Sequence, residues 1–209
     1  DLTRRLRVLA TAGGNARREY FTLTQQQTTG LVNAGTFNIA NTAIDPTLTQ
    51  ESTRRVVNGV YGSAAFTWDG WWTVEGTARN DWSSTLPAGE NSYFYPSVNT
   101  SVVLTDALPA LKNRWVEFAK LRGGVARVGS DATPYALRTV FVGNSIRFGD
   151  RPQFSLGNVL ANPNLKPEIT RSNEIGAELS FVGGRVTLDA TYYDRNTSNQ
   201  IFNVPISPA

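Results

Sequence analysis

Cysteine, histidine and methionine are all missing from the 209 residues. Without cysteine there are no disulfides and no thiol chemistry. Without histidine the chain lacks the commonest general base and the commonest metal ligand, and a Ser-His-Asp triad cannot be assembled. Carboxylate-only catalysis remains open in principle, with 17 Asp and Glu present. The reading is nevertheless a chain that is not an enzyme, with no cofactor and no metal site. The missing methionine and the ending "VPISPA" read as those of an internal piece of a longer protein, and no signal peptide is visible. Concentrated runs of basic residues are also missing. The formal charge of +3 is spread over the chain, with arginine pairs at 4–5, 17–18 and 54–55, so nucleic acid is not an expected partner. No apolar run approaches the roughly 18 residues of a membrane-spanning helix. The mean hydropathy of −0.27 is mildly polar. That does not exclude a transmembrane β-barrel, which needs apolar residues only at every second position.

The dominant signal present is alternation with period two, the signature of strands. Trp72, Val74, Gly76 and Ala78 oppose Thr73, Glu75, Thr77 and Arg79. Val186, Leu188, Ala190 and Tyr192 oppose Arg185, Thr187, Asp189, Thr191 and Tyr193. Ile175, Ala177, Leu179 and Phe181 oppose Glu174, Gly176, Glu178 and Ser180, and Leu121 and Val125 alternate with Lys120 and Arg122. Strands are expected near residues 4–14, 54–68, 71–82, 95–105, 114–128, 169–181 and 185–202. Short connections at 69–70, about 106–113 and 182–184 alternate with long ones at about 15–53, 83–94 and 129–168. An all-β, antiparallel up-and-down meander with one tidy and one elaborate end gives that pattern. Ten residues at about 3.3 Å each, tilted roughly 45°, cover about 23 Å, close to the roughly 25 Å apolar band of an outer-membrane barrel.

A soluble β-sandwich also alternates. Its core prefers bulky interdigitating residues, however, whereas the apolar faces here mix Ala and Gly with Val and Leu. Its strands also cluster near five or six residues. The polar faces carry Glu75, Arg79, Lys120, Arg122, Glu174, Glu178, Arg185 and Asp189, which suits a wet interior or a solvent face equally.

Five stretches narrow the choice: "GTARNDWSSTLP" (76–87), "NSYFYPSVNTSVVLTDAL" (91–108), "AKLRGGVARVGSDATPYAL" (119–137), "NPNLKPEITRSNEIGAEL" (162–179) and "VTLDATYYDRNTSNQI" (186–201). In this order they resemble the barrel of a SusC/RagA-type TonB-dependent outer-membrane transporter. The opening "GGNARREYF" and "TTGLVNAGTFNIANT" are similar to the same family. "RNDWSSTLP" and "NPNLKPEIT…NEIGAEL" are the most specific pieces. The resemblance implies an internal sector, about seven strands over residues 1–209, of a large transmembrane β-barrel, with the plug domain, TonB box and C-terminal strands lying elsewhere. A self-contained eight-stranded barrel is the structural alternative.

The resemblance also implies a location in the outer membrane of a Gram-negative bacterium and import of glycans or oligopeptides. Its partners would be membrane lipid, TonB and a SusD-like surface lipoprotein. A siderophore or vitamin receptor of the wider class, and a soluble carbohydrate-binding β-domain, are the alternative functions. On this reading the long loops face outside, and Tyr93, Phe94, Tyr95 and Tyr135 are candidate ligand contacts. Glu75, Arg79, Lys120, Arg122, Glu174, Glu178, Arg185 and Asp189 face the lumen, with Glu174 or Glu178 able to pair with Arg185 or Lys120. Trp72 and Trp82 bracket the apolar band as an interface girdle. Asp69-Gly70 is a hairpin signal. A two-residue turn puts Trp68 and Trp71 on one face, and a three-residue turn puts Trp68 with Phe66; the sequence leaves this open. "NPNLKPE" reads as a rigid entry into the following strand.

Overall fold

The alternating segments become β-strands that pair strictly with their neighbours. The computed structural model describes residues 5–139, 141–143, 148–156 and 161–204. Its strands are β1 (Leu6–Gln27), β2 (Thr47–Trp68), β3 (Trp72–Ser83), β4 (Ser92–Val103), β5 (Val116–Ser130), β6 (Phe141–Gly143), β7 (Phe154–Leu156), β8 (Glu168–Phe181) and β9 (Val186–Ser198). A short helix, α1 (Leu104–Ala107), and a 3-10 turn at Pro109–Leu111 join β4 to β5. Seven strands form one antiparallel sheet in the order β1-β2-β3-β4-β5-β8-β9, and β6 and β7 form a separate hairpin. Every step in the large sheet is to an antiparallel neighbour. This is an open meander, a partial barrel, and not two stacked sheets. Among the described residues its outer strands, β1 and β9, do not pair with each other, so the sheet is open and not a closed eight-stranded barrel.

Register sorts the sheet into two faces, because residues directly opposite share a face. One row runs Phe66, Val74, Thr100, Gly123, Ile175 and Tyr192; the row beside it runs Trp68, Trp72, Val102, Leu121, Ala177 and Ala190. The opposite face carries Ser63, Thr77, Ser97, Ala126, Ser172 and Arg195 in one row. Among the described residues nothing packs on the apolar face. Val60, Phe66, Val98, Leu121, Val125, Ile175 and Leu188 are all about half exposed. Among the described residues few apolar side chains are buried, and three of them, Leu86, Tyr93 and Ala132, cluster beneath the long loops with Leu165 and Ile201 against them. A water-soluble sheet cannot leave such a face uncovered without exposing a patch far larger than soluble proteins tolerate. A lipid-facing sheet does so as a matter of course.

Two strands are far longer than alternation indicates. β1 and β2 are 22 residues each and paired along their whole length, so the expected connection at 15–53 contracts to 28–46. Beyond Gly14 polar and charged residues enter both faces, with Asn15, Arg17 and Glu19 on one side and Arg18 and Tyr20 on the other, while the exposed Phe21 and Leu23 share the side of Glu19. Once both faces are wet, the hydrophobic period vanishes although the backbone ladder continues. The expected start of the first strand at residue 4 lies outside the described residues. The hairpin ends in an ordered loop. Asn41 donates from its amide to the carbonyls of Asn33 at 2.8 Å and Thr36 at 2.7 Å, and accepts from the Asn33 backbone N–H at 3.0 Å.

The turn between β2 and β3 settles the tryptophan register. Trp68 pairs with Trp72, leaving Asp69, Gly70 and Trp71 as a three-residue loop closed by the Trp71 N–H to the Trp68 carbonyl at 3.1 Å. Asp69 and Gly70 take φ of 46° and 78°, a region that suits Asp and Gly. Trp68, Trp72 and Phe66 therefore share the apolar face. Trp71 stacks on Trp72 with centroids 6.3 Å apart, and the Trp72 indole N–H donates to Thr100 Oγ1 at 3.0 Å.

Candidate functional site

The motif "RNDWSSTLP" and the loop after β5 meet at the long-loop end of the polar face. Arg55 on β2 holds Asp131 in a two-point ion pair, Nε to Oδ2 at 2.9 Å and Nη2 to Oδ1 at 2.6 Å. Its remaining nitrogen, Nη1, reaches Glu19 on β1 at 3.0 Å. Asp131 also accepts from Ser83 Oγ and, at 3.0 Å, from Thr85 Oγ1. Ser83 and Thr85 are 1% and 3% exposed; their hydroxyls bond this carboxylate and each other, and Ser83 Oγ also accepts the Thr85 backbone N–H at 3.3 Å. Burial pushes the Asp131 carboxyl up, but the hydrogen bonds from Arg55, Ser83 and Thr85 outweigh it and hold the carboxyl below the usual range. The same bond to Asp131 leads the rise in the Arg55 guanidinium. A bidentate arginine–carboxylate pair is geometrically specific, and here it fastens a loop to three strands.

A second network lies next to it. The Arg79 Nε donates to the Tyr95 hydroxyl at 2.6 Å, and that hydroxyl donates to Asp81 Oδ2. Asp81 Oδ1 lies 2.8 Å from Arg79 Nη2, close enough for an ion pair but without a hydrogen-bonding angle. Arg79 also donates to Asn15 and lies 5.5 Å above the Tyr61 ring. Gly59 makes this possible: a Cβ there would run into Asp81, Arg79 and Asn15.

These networks decide where the four candidate aromatics sit. Tyr93 and Tyr95 are on the polar face opposite Asp81 and Arg79, stacked at 5.9 Å between centroids. Tyr93 is buried under Leu86 and Ala132. Phe94 lies between them in sequence and so on the apolar face, half exposed, opposite Asn80 and near Trp82. Tyr135 is in the loop after β5, exposed, with φ of 66°. The four do not form one surface. Trp72 and Trp82 stand at the two ends of β3 on the apolar face, both partly exposed.

Deeper along the polar face the structure gathers charge. An open cleft of about 270 Å³ is lined by Thr73, Glu75, Asn99, Lys120, Arg122 and Glu174. A neighbouring one of about 470 Å³ includes Tyr61, Glu75, Arg79 and Tyr95. Lys120, Glu178 and Asp189 stand in one row across β5, β8 and β9. The ion pair that forms is different from those the sequence suggests. Arg122 reaches across β8 to Asp189, at 2.7 Å and 3.1 Å, and to Thr191 at 2.6 Å. It can do so because position 176 is glycine; a Cβ there would stand 2.7 Å from Arg122 Nε. Arg185 is in the turn before β9, not within the strand. Among the described residues no group of three or more His, Cys, Asp or Glu side chains could hold a metal ion. What the arrangement can do is present a wet, mixed-charge wall and hold its rim rigid.

"NPNLKPE" joins the rim. Asn162 accepts the Asn164 N–H at 2.9 Å, Leu165 packs on the Leu86–Tyr93–Ala132 cluster, and Glu168 accepts the Ile201 N–H at 2.6 Å. The entry into β8 is thus a folded element of the mouth.

Comparison with known proteins agrees with this geometry. The family "TonB dependent receptor-like, beta-barrel" matches residues 2–209. A TonB-dependent receptor P26 from Formosa agariphila is 24% identical over 208 residues, 96% of this chain and 21% of that protein. The structure of the RagAB peptide transporter superposes with a TM-score of 0.81 at 15% identity, over 99% of this chain and 23% of that one. The RagAB peptide importer in its "closed-closed" state gives 0.77 over 94% and 22%. The chain therefore spans about a fifth of the length of these relatives.

Proposed function

The chain belongs to the TonB-dependent receptor β-barrel family, and from that premise we propose that it forms one sector of an outer-membrane importer for oligopeptides or glycans. Members of this family reside in the outer membrane of Gram-negative bacteria, and the relatives are receptors and transporters rather than enzymes. The polar wall carrying Glu75, Arg79, Lys120, Arg122, Glu174, Glu178 and Asp189 lines the interior, and the face of Trp72 and Trp82 meets lipid. The long-loop end faces outside, where Tyr135 is available to a ligand or to a lid. The open edges of β1 and β9 pair with further strands of the same barrel, since an unpaired edge in a membrane leaves backbone groups unsatisfied. A plug, a TonB-contacting segment and a surface lipoprotein lid complete the machine.

The observation that carries this reading is the uncovered apolar face opposite a wet, charged one, in strands of barrel length. Cargo is inferred from the sequence resemblance and from the likeness to a peptide transporter over nearly the whole chain. Uptake of labelled oligopeptides and oligosaccharides, by cells with and without the receptor that carries this chain, tests it. TonB-dependent uptake of one of these classes is the expected result. Uptake confined to iron chelates or vitamins would refute the cargo assignment.

A further inference from the structure

At the long-loop end the uncovered apolar face stops along a slanted line. Its last exposed apolar side chain is Phe94 on β4, Val125 on β5, Ile175 on β8 and Tyr192 on β9. Ile175 and Tyr192 are direct partners, whereas Val125 is opposite Asn173, one step further up β8. Strands tilted through a band of constant height give such a stepped edge. Immediately beyond it, on the same face, Arg127 of β5 is directly opposite Arg171 of β8.

Like charges opposed across an antiparallel pair are destabilising. Both arginines are exposed, and among the described residues neither lies within 4.0 Å of a carboxylate. The nearest acid by register, Asp194, is opposite Asn173, a diagonal step from Arg171. A groove of about 230 Å³ lies between the two arginines and runs toward the apolar band. It is lined by Arg127, Arg171 and Asn173 together with Pro96, Val98 and Val125.

We infer that Arg127 and Arg171 bind the phosphate of a lipid headgroup in the leaflet at the long-loop end, with an acyl chain lying along Pro96, Val98 and Val125. Guanidinium groups take phosphate oxygens in two-point contacts, and a shared anion relieves the repulsion between them. A free phosphate would use the arginines but not the apolar lining, which is continuous with the lipid-facing band. The site rests on the apolar face meeting lipid and is independent of what the barrel imports.

The test is native mass spectrometry of the detergent-purified receptor that contains this chain. It is titrated with phosphorylated lipid A, with chemically dephosphorylated lipid A and with inorganic phosphate. Binding of the phosphorylated lipid is the expected result, weakened about ten- to thirty-fold in the R127Q/R171Q double variant and largely kept in R127K/R171K. Heat-resistant migration of each variant barrel confirms folding, and the two single variants serve if the double one fails to fold. Equal binding by the double variant would overturn the assignment, as would equal binding of the dephosphorylated lipid. Equal competition by inorganic phosphate would instead mark a free-anion site and also overturn it. Loss of the proposed cargo uptake with lipid binding intact would count against the importer reading alone.

Discussion

Replacing Asp131 with asparagine removes the charge that fastens the loop after β5 while keeping the side chain's size. Arg55 then faces only Glu19, and Ser83 and Thr85 keep at most a neutral acceptor. Removing one partner of a buried ion pair costs about 3–5 kcal/mol. The Arg55 side chain is 28% exposed and retains its second carboxylate, which lowers the expected local cost to about 2 kcal/mol. That is about thirty-fold in the local opening equilibrium. Amide hydrogen exchange reads it directly, because the Ser84 N–H is bound to the Val56 carbonyl at 2.9 Å and the Thr85 N–H to Ser83 Oγ at 3.3 Å. Protection at these amides should fall by about that factor, while amides in the centre of β3 stay unchanged. The pH dependence follows from the same carboxyl. Its folded pKa is lowered from an ordinary 3.8, so its contribution to stability is complete above that value and is lost as pH falls through the lowered one. The clamp should therefore be indifferent to pH across the neutral range and open only in strong acid. Unchanged protection in the variant, or opening near pH 6, would refute the reasoning.

Two smaller perturbations follow from equally local geometry. Gly176→Val places atoms where Arg122 crosses to Asp189, and the thermal unfolding midpoint of the barrel should drop; no change would mean that the Arg122–Asp189 pair contributes nothing there. Asn41→Ala deletes three hydrogen bonds inside the loop at 28–46 and should speed limited proteolysis of that loop about five- to ten-fold at a cost of about 1 kcal/mol, with global stability unaffected.

The sheet was legible in the sequence wherever one face is apolar and the other wet. The expected strand at 71–82 is β3 at Trp72–Ser83, and that at 169–181 is β8 at Glu168–Phe181. The same rule concealed the outer half of β1 and β2, where Arg17 and Glu19 on one face and Arg18 and Tyr20 on the other leave no contrast to read. The motif "RNDWSSTLP" stood out as specific, yet its physical content depends on Asp131, whose partner Arg55 is 76 positions away; no spacing rule links them. Parity in β4 could have separated the aromatics beforehand. Tyr93 and Tyr95 share a face with Ser97 and Asn99, and Phe94 shares one with Val98. The three are adjacent in sequence, but a strand sends neighbours to opposite sides. The hairpin register at Trp68 could not be read at all, because Asp69-Gly70 suits both a two-residue loop and the three-residue loop that forms.

The central claim is that one face of this sheet meets lipid and the other an aqueous interior. The chain's lack of cysteine suits the most direct measurement, single-cysteine spin labelling along β3 at positions 73–78 in the membrane-reconstituted receptor, reading collision with oxygen against collision with a water-soluble nickel complex. Labels at Val74, Gly76 and Ala78 should favour oxygen and those at Thr73, Glu75 and Thr77 should favour nickel, in strict alternation. Uniform values along the strand, or the inverted alternation, would contradict it.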